Sequence, residues 1–210
     1  MLALLHTSSV HIPVFEALRD QDHPGLELRH LVHEELLIRA GEEGPAAVAT
    51  AVATVLTSAV ATGASAVLCT CSTIGGVAEA CADGLGVPVL RVDRPMAAAA
   101  AVADRIVVVA TVRSTLEPTA ALIREEAAGR AVELRTLLVE DAWERFEAGD
   151  RDGYLDAVTA AVDAVRDADV IVLAQASTAD AADGARTPVP VLSSPRAGLR
   201  AAARAVESRS

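Results

Sequence analysis

The chain has few aromatic residues, no long apolar run and no cluster of basic side chains, and each shortage closes a class of function. Aromatics make up 2% of the 210 residues, too few to build platforms on which nucleic-acid bases stack. The formal charge of -11 at pH 7 points the same way, because tracking a phosphate backbone needs Lys and Arg gathered on one face. No nucleic-acid partner is expected. No apolar run reaches the roughly 18 residues of a membrane span; the alanine-rich stretch over 95–102 soon meets Asp104-Arg105. The chain opens on a strand-like Leu2-Ala3-Leu4-Leu5, with neither a basic leader nor a small-residue cleavage site, so a cytoplasmic setting away from membranes is expected. Three cysteines, two of them separated by a single residue (Cys69 and Cys71), fit neither a disulfide framework nor a zinc knuckle. The other histidines, His11, His23, His30 and His33, lack metal-like spacing and read as surface or packing residues, so no metal is expected. Neither GxGxxG nor GxxxxGK(S/T) occurs, which leaves a dinucleotide or P-loop site without support.

What is present is apolar and repetitive. Hydrophobic residues form 52% of the chain, chiefly Ala, Val and Leu, which suits helices packed closely on a sheet. Short Val/Ile/Leu runs alternate with alanine-rich helical segments, the pattern of a parallel sheet covered on both faces. Strands are expected near 2–6, 26–32, 66–70, 88–92, 105–110, 132–138, 169–174 and 189–192. Helices are expected near 13–20, 45–62, 76–83, 95–102, 116–127, 141–148, 151–167 and 195–206. The second half repeats the first at an offset of about 105 residues: Glu27-Leu28-Arg29 returns as Glu133-Leu134-Arg135, Pro13 with Arg19 as Pro118 with Arg124, and Val87-Pro88-Val89-Leu90 as Val189-Pro190-Val191-Leu192. The expected architecture is α/β, with two similar lobes: 1–94 joined by 193–210, and 95–192. A cleft between them is expected.

Open parallel sheets bind ligands at the carboxyl ends of their strands, and those ends hold the polar residues of this otherwise apolar chain. The first copy offers His6, Thr7 and Ser8, then Cys71, Ser72 and Thr73 followed by Gly75-Gly76; the second offers Thr111, Ser114 and Thr115, then Gln175, Ser177 and Thr178. Hydroxyls and helix-start N–H groups suit a small carboxylate. Cys71 is the sharpest candidate for chemistry, since a strand-to-helix turn favours the reactive thiolate, with the glycines allowing close backbone approach. Cys69 and Cys81 read as buried hydrophobes. Glu34-Glu35 and Glu140-Asp141 read as helix-start charges, Arg94 and Arg196 as surface ion pairs, and Trp143 with Phe146 as core or interface.

Cys71-Ser72-Thr73 after a buried strand, Ala110-Thr111 with Ser114-Thr115 after another, and the duplication together resemble the aspartate/glutamate/hydantoin racemase superfamily over nearly the whole chain. The resemblance implies two flavodoxin-like lobes about a pseudo-two-fold axis, a site between them, and cofactor-free chemistry at the carbon next to a carboxylate. It implies that Cys71-Ser72-Thr73 stands for the racemases' cysteine-asparagine-threonine triplet, with Ser for Asn. A second cysteine normally ends the equivalent strand of the other lobe, where this chain has Gln175 or Ala176 according to an offset of 104 or 105. Neither can exchange a proton at neutral pH. A one-cysteine reaction is therefore expected, like that of the arylmalonate decarboxylases or maleate isomerases of the superfamily, unless His6 supplies the second proton. Thr7, Ser8, Ser72, Thr73, Thr111, Ser114, Thr115, Gln175, Ser177 and Thr178 would hold a small carboxylate-bearing molecule, without a cofactor, and a homodimer is expected. The alternative is a small-carboxylate-binding or sensor protein that kept the cleft without turnover.

Overall fold

The computed structural model describes residues 1–209 as two compact units, 1–94 with 195–209 and 95–194. The first unit contains β1 (Leu2–His6), α1 (Ile12–Asp22), β2 (Leu28–Val32), α2 (Glu34–Glu43), α3 (Ala49–Ala61), β3 (Ala66–Cys69), α4 (Ser72–Ala80) and β4 (Val89–Arg91). The second contains α5 (Arg94–Ala100), whose first residue belongs to the first unit, then β5 (Arg105–Ala110), α6 (Leu116–Glu126), β6 (Glu133–Leu138), α7 (Glu140–Glu147), α8 (Arg151–Ala164), β7 (Val170–Leu173), α9 (Ala181–Gly184) and β8 (Val191–Ser193). The chain then returns to the first unit as α10 (Pro195–Glu207). The strands run in the orders β2-β1-β3-β4 and β6-β5-β7-β8, all parallel, the start of the flavodoxin-like order.

Each sheet is buried on both faces because alternate side chains of a strand point to opposite sides. In the first unit Ala3, Leu5, Val67 and Cys69 pack with α2, α3 and α4, while Leu2, Leu4, Ala66 and Leu68 meet Phe15 of α1 and Leu199, Ala202 and Val206 of α10. In the second unit Val107, Val109, Ile171 and Leu173 lie with Tyr154, Val158 and Val162 of α8. Its other face, Ile106, Val108, Val170 and Val172, meets Leu122 and Ile123 of α6 and Met96, Ala97 and Ala100 of α5. So α5, which follows β4, covers the second sheet, and α10, which follows β8, covers the first.

Several boundaries differ from expectation. The segment expected as one helix over 45–62 opens with a 3-10 turn, Pro45–Val48, before α3. The helix expected from 76 starts at Ser72, with Gly75 and Gly76 inside it and Ser72, Thr73, Ile74 and Gly75 buried. The unexpected α2 starts on Glu34 and Glu35, and α7 starts on Glu140 and Asp141, carboxylates that suit the positive end of a helix. Among the described residues no helix is long and apolar enough to cross a membrane.

The seat of α10 is tight. A Cβ on Gly198 would fall on the Val92 carbonyl oxygen, 2.6 Å from Val92 Cγ2 and 2.9 Å from Val92 Cα. Gly198→Ala is therefore expected to cost about 1–3 kcal/mol through overpacking, seen as a lower urea midpoint; an unchanged midpoint would show that α10 is free to shift.

Candidate active site

The two sheets have the same register, and this aligns their polar ends. Leu2 pairs with Ala66 in the first, and Ile106 pairs with Val170 in the second, each partner 104 residues on. Beyond the strands, Thr70 N donates to Leu5 O at 2.9 Å, and Ala174 N donates to Val109 O at 2.9 Å. Cys71 and Gln175 are then the next residues, both extended and both immediately preceding a helical turn. The residue that stands in the place of Cys71 is Gln175, and Ala176 corresponds to Ser72.

In the first unit Cys71 is the N-cap of α4, with no side-chain cap on that helix, and is 9% exposed. The hydroxyl of Thr73, in the first turn of α4, is buried without a hydrogen-bond partner. Thr7 is buried and Ser8 half-buried at the end of β1. Cys69 lies fully inside the core, where burial, and after it the neighbouring Cys71, push its thiol up, out of the reactive range. Burial also raises the Cys81 thiol. Gly75 and Gly76 serve a different purpose from close approach to a ligand: a Cβ on Gly75 would lie 3.1 Å from Cβ and Nε of Arg91, and one on Gly76 3.4 Å from Arg91 Nη1. The pair makes room for a buried guanidinium, which Asp93 clamps through Nε–Oδ1 at 2.7 Å and Nη2–Oδ2 at 2.8 Å. Burial pulls the Arg91 guanidinium down, but the bonds and charge of Asp93 outweigh it and hold the group above its ordinary value.

His6 is wholly enclosed. Its Nδ1 lies 2.8 Å from Thr70 Oγ1 and its Nε2 2.8 Å from His30 Nδ1, and His30 Nε2 continues to Glu16 Oε1 at 2.8 Å. Since the Thr70 hydroxyl donates to Leu5 O at 3.1 Å, the network assigns the His6 proton to Nδ1. Both ring nitrogens are thus committed, and His6 fixes Thr70 beside Cys71. Burial, and after it the charges of His30 and His11, lower His6 from 6.5 to about 3; burial lowers His11 from 6.5 to about 4. Both are neutral in the fold and take up a proton near 6.5 once unfolded, so their contribution to stability is complete above that pH and is lost as pH falls towards 4 and then 3. Each loses about 1.4 kcal/mol per pH unit in that window. Urea midpoints measured between about pH 7 and about pH 5 should fall accordingly; a flat profile would show that the two rings are already solvated.

The second unit closes on itself. Gln175 Oε1 accepts from Thr111 N at 2.6 Å, Thr111 Oγ1 at 3.0 Å and Val112 N at 3.3 Å. Thr111 Oγ1 also lies 3.4 Å from the Tyr154 hydroxyl, which is 2.8 Å from Ser177 Oγ. Thr115 and Thr178 turn their hydroxyls onto backbone, donating to Val112 O and Gln175 O, each at 2.7 Å, and Ser114 is half-buried beside them. Tyr154, absent from the expected set, is the only tyrosine of the chain, set in an alanine-rich helix; that isolation was its one signal. Phe146 lies 5.0 Å from its ring, and Trp143 stacks on Phe146 at 4.9 Å. Arg94 pairs with Glu79 and Arg196 with Asp22. Among the described residues no cluster of three His, Cys, Asp or Glu could hold a metal ion.

A duplicated parallel α/β protein with a thiol ending one sheet and an amide ending the other is the class that fold and site define. An aspartate racemase of Picrophilus torridus superposes with a TM-score of 0.76 at 12% identity, over 99% of this chain and 94% of its own. A glutamate racemase isoform of Bacillus anthracis gives 0.74 at 16% identity, over 100% and 82%. Arylmalonate decarboxylase gives 0.64 at 21% identity, over 98% and 91%. At such identities the likeness is one of fold. No curated protein matches the chain in sequence. Residues 8–202 match the Asp/Glu/Hydantoin racemase family, and the chain belongs to that family.

Proposed function

We propose that this chain is a cofactor-independent enzyme acting at the carbon next to a carboxylate of a small acid, with Cys71 as its single reacting thiol. The observation that carries this reading is the asymmetry of the two strand ends. Cys71 and the unpartnered hydroxyl of Thr73 stand in the first unit, while their counterparts Gln175 and Ser177 are bonded inward in the second. Inverting a stereocentre needs a base and an acid on opposite faces of the carbon, and an amide is neither at neutral pH. One thiol suffices for decarboxylation of a malonate-like diacid. The bond to the departing carboxylate breaks, carbon dioxide leaves, and the electron pair moves into an enediolate; the Cys71 S–H then delivers its proton to carbon, and water restores it. Thr7, Ser8, Ser72 and Thr73 are the donors for the retained carboxylate and the enediolate. Family membership and the fold likeness to an arylmalonate decarboxylase support this choice. The sequence also contains no lysine, so no side-chain amine is available for a Schiff base with a carbonyl cofactor.

The test is incubation in heavy water with phenylmalonate, maleate, aspartate and glutamate in turn, followed by NMR. Deuterium at the carbon that loses carbon dioxide, or isomerisation of maleate, is the expected outcome. Rapid racemisation of aspartate or glutamate, with deuterium entering both enantiomers, would overturn the one-thiol reading.

A further inference from the structure

The side-chain oxygen of Gln175 is held by three donors, two of them backbone N–H groups of consecutive residues, Thr111 and Val112, and the third the Thr111 hydroxyl. Converging N–H groups at the carboxyl end of a parallel strand form a cradle for an anionic oxygen. Here a neutral amide oxygen of the protein itself fills it. The arrangement also fixes the amide's orientation, because only the carbonyl end can accept from N–H groups. The NH2 end has no hydrogen-bond partner among the described residues, and Gln175 is half-buried. Tyr154 and Ser177 brace the cradle from behind through Thr111.

We propose that Gln175 is an internal occupant of a cradle in the second unit that would otherwise take a carboxylate oxygen, and that its side chain seals the cradle against ligand oxygens. The cradle stands on the geometry of this unit alone.

Two substitutions test the cradle and its occupant. Gln175→Gly empties the cradle, and acetate is the probe. At about 100 times its dissociation constant acetate should raise the variant's melting temperature by about 5–10 °C and change the fluorescence of Trp143, which reaches Tyr154 through Phe146, with no such response in the unsubstituted chain. Equal responses in both proteins, or none in a folded variant, would overturn the cradle. Gln175→Glu retains an acceptor for all three donors, so it should melt no lower than the parent. A lower melting temperature would overturn the acceptor role. If the unsubstituted chain turns over none of the acids, the proposed reaction fails, and the acetate experiment still decides the cradle. If Gln175→Gly does not fold, the melting temperature of Gln175→Glu decides it.

Discussion

Cys71→Ser is expected to reduce turnover at least about a thousandfold while leaving the unfolding free energy within about 1 kcal/mol of the parent. The exchange barely alters volume at the N-cap of α4, and serine is itself a favoured N-cap residue. What it removes is the S–H that delivers the proton in the proposed reaction; a hydroxyl is intrinsically a far weaker acid than a thiol. Cys69→Ser should behave in the opposite way. That side chain is fully inside the core, so its loss is felt in stability, and catalysis per folded molecule should survive. Comparing the two by heavy-water exchange and by urea unfolding separates chemistry from packing. Turnover that persists in Cys71→Ser would remove the thiol from the mechanism. Gln175→Cys places a thiol at the position equivalent to Cys71 by register and is expected to introduce exchange that scrambles the configuration of the product.

Asp93→Ala is the substitution expected to damage the fold most. Arg91 is 7% exposed and Asp93 fully buried, joined by two bonds under 3 Å. Removing the carboxylate strands a guanidinium that cannot shed its proton, a situation that costs about 3–5 kcal/mol against a total stability of about 5–15 kcal/mol for an ordinary domain. The urea midpoint should drop sharply. Replacing both partners, with Arg91→Met and Asp93→Leu, should recover most of the loss, since an apolar pair of similar size leaves no unpaired charge. If Asp93→Ala lies within about 1 kcal/mol of the parent, water reaches Arg91 and the pair is a surface one.

The sheets were legible in the sequence because a strand buried on both faces reads as an uninterrupted apolar run: Leu2 to Leu5 and Val170 to Leu173 could hardly be anything else. The duplication was legible too, in marks such as Val87-Pro88-Val89-Leu90 that sit at equivalent strand starts. The helix α2 was not, since Glu34-Glu35 announces a start but the following Leu36-Leu37-Ile38 resembles a strand. At the site, Cys71 stood out by chemistry and position. The choice between Gln175 and Ala176 did not, because one residue of offset is invisible without the pairing register of β3 and β7. Partnerships were hidden altogether. Nothing in the spacing of Arg91, Asp93, Gly75 and Gly76 says that two glycines give way to one guanidinium, or that His6 spends both nitrogens on Thr70 and His30.

The exchange of α5 and α10 has a consequence for how such a chain could arise. Each copy of the repeat ends in a helix that its own sheet does not use. Two separate half-length chains built this way would fold only as a pair, each lending its last helix to the other, in the manner of domain-swapped dimers. Joining them through the short connection after α5 turns that mutual loan into a property of one molecule, independent of concentration. It also ends the symmetry such a pair must obey. Identical subunits carry the same residue at both strand ends, whereas a fused chain is free to keep cysteine at 71 and accept glutamine at 175.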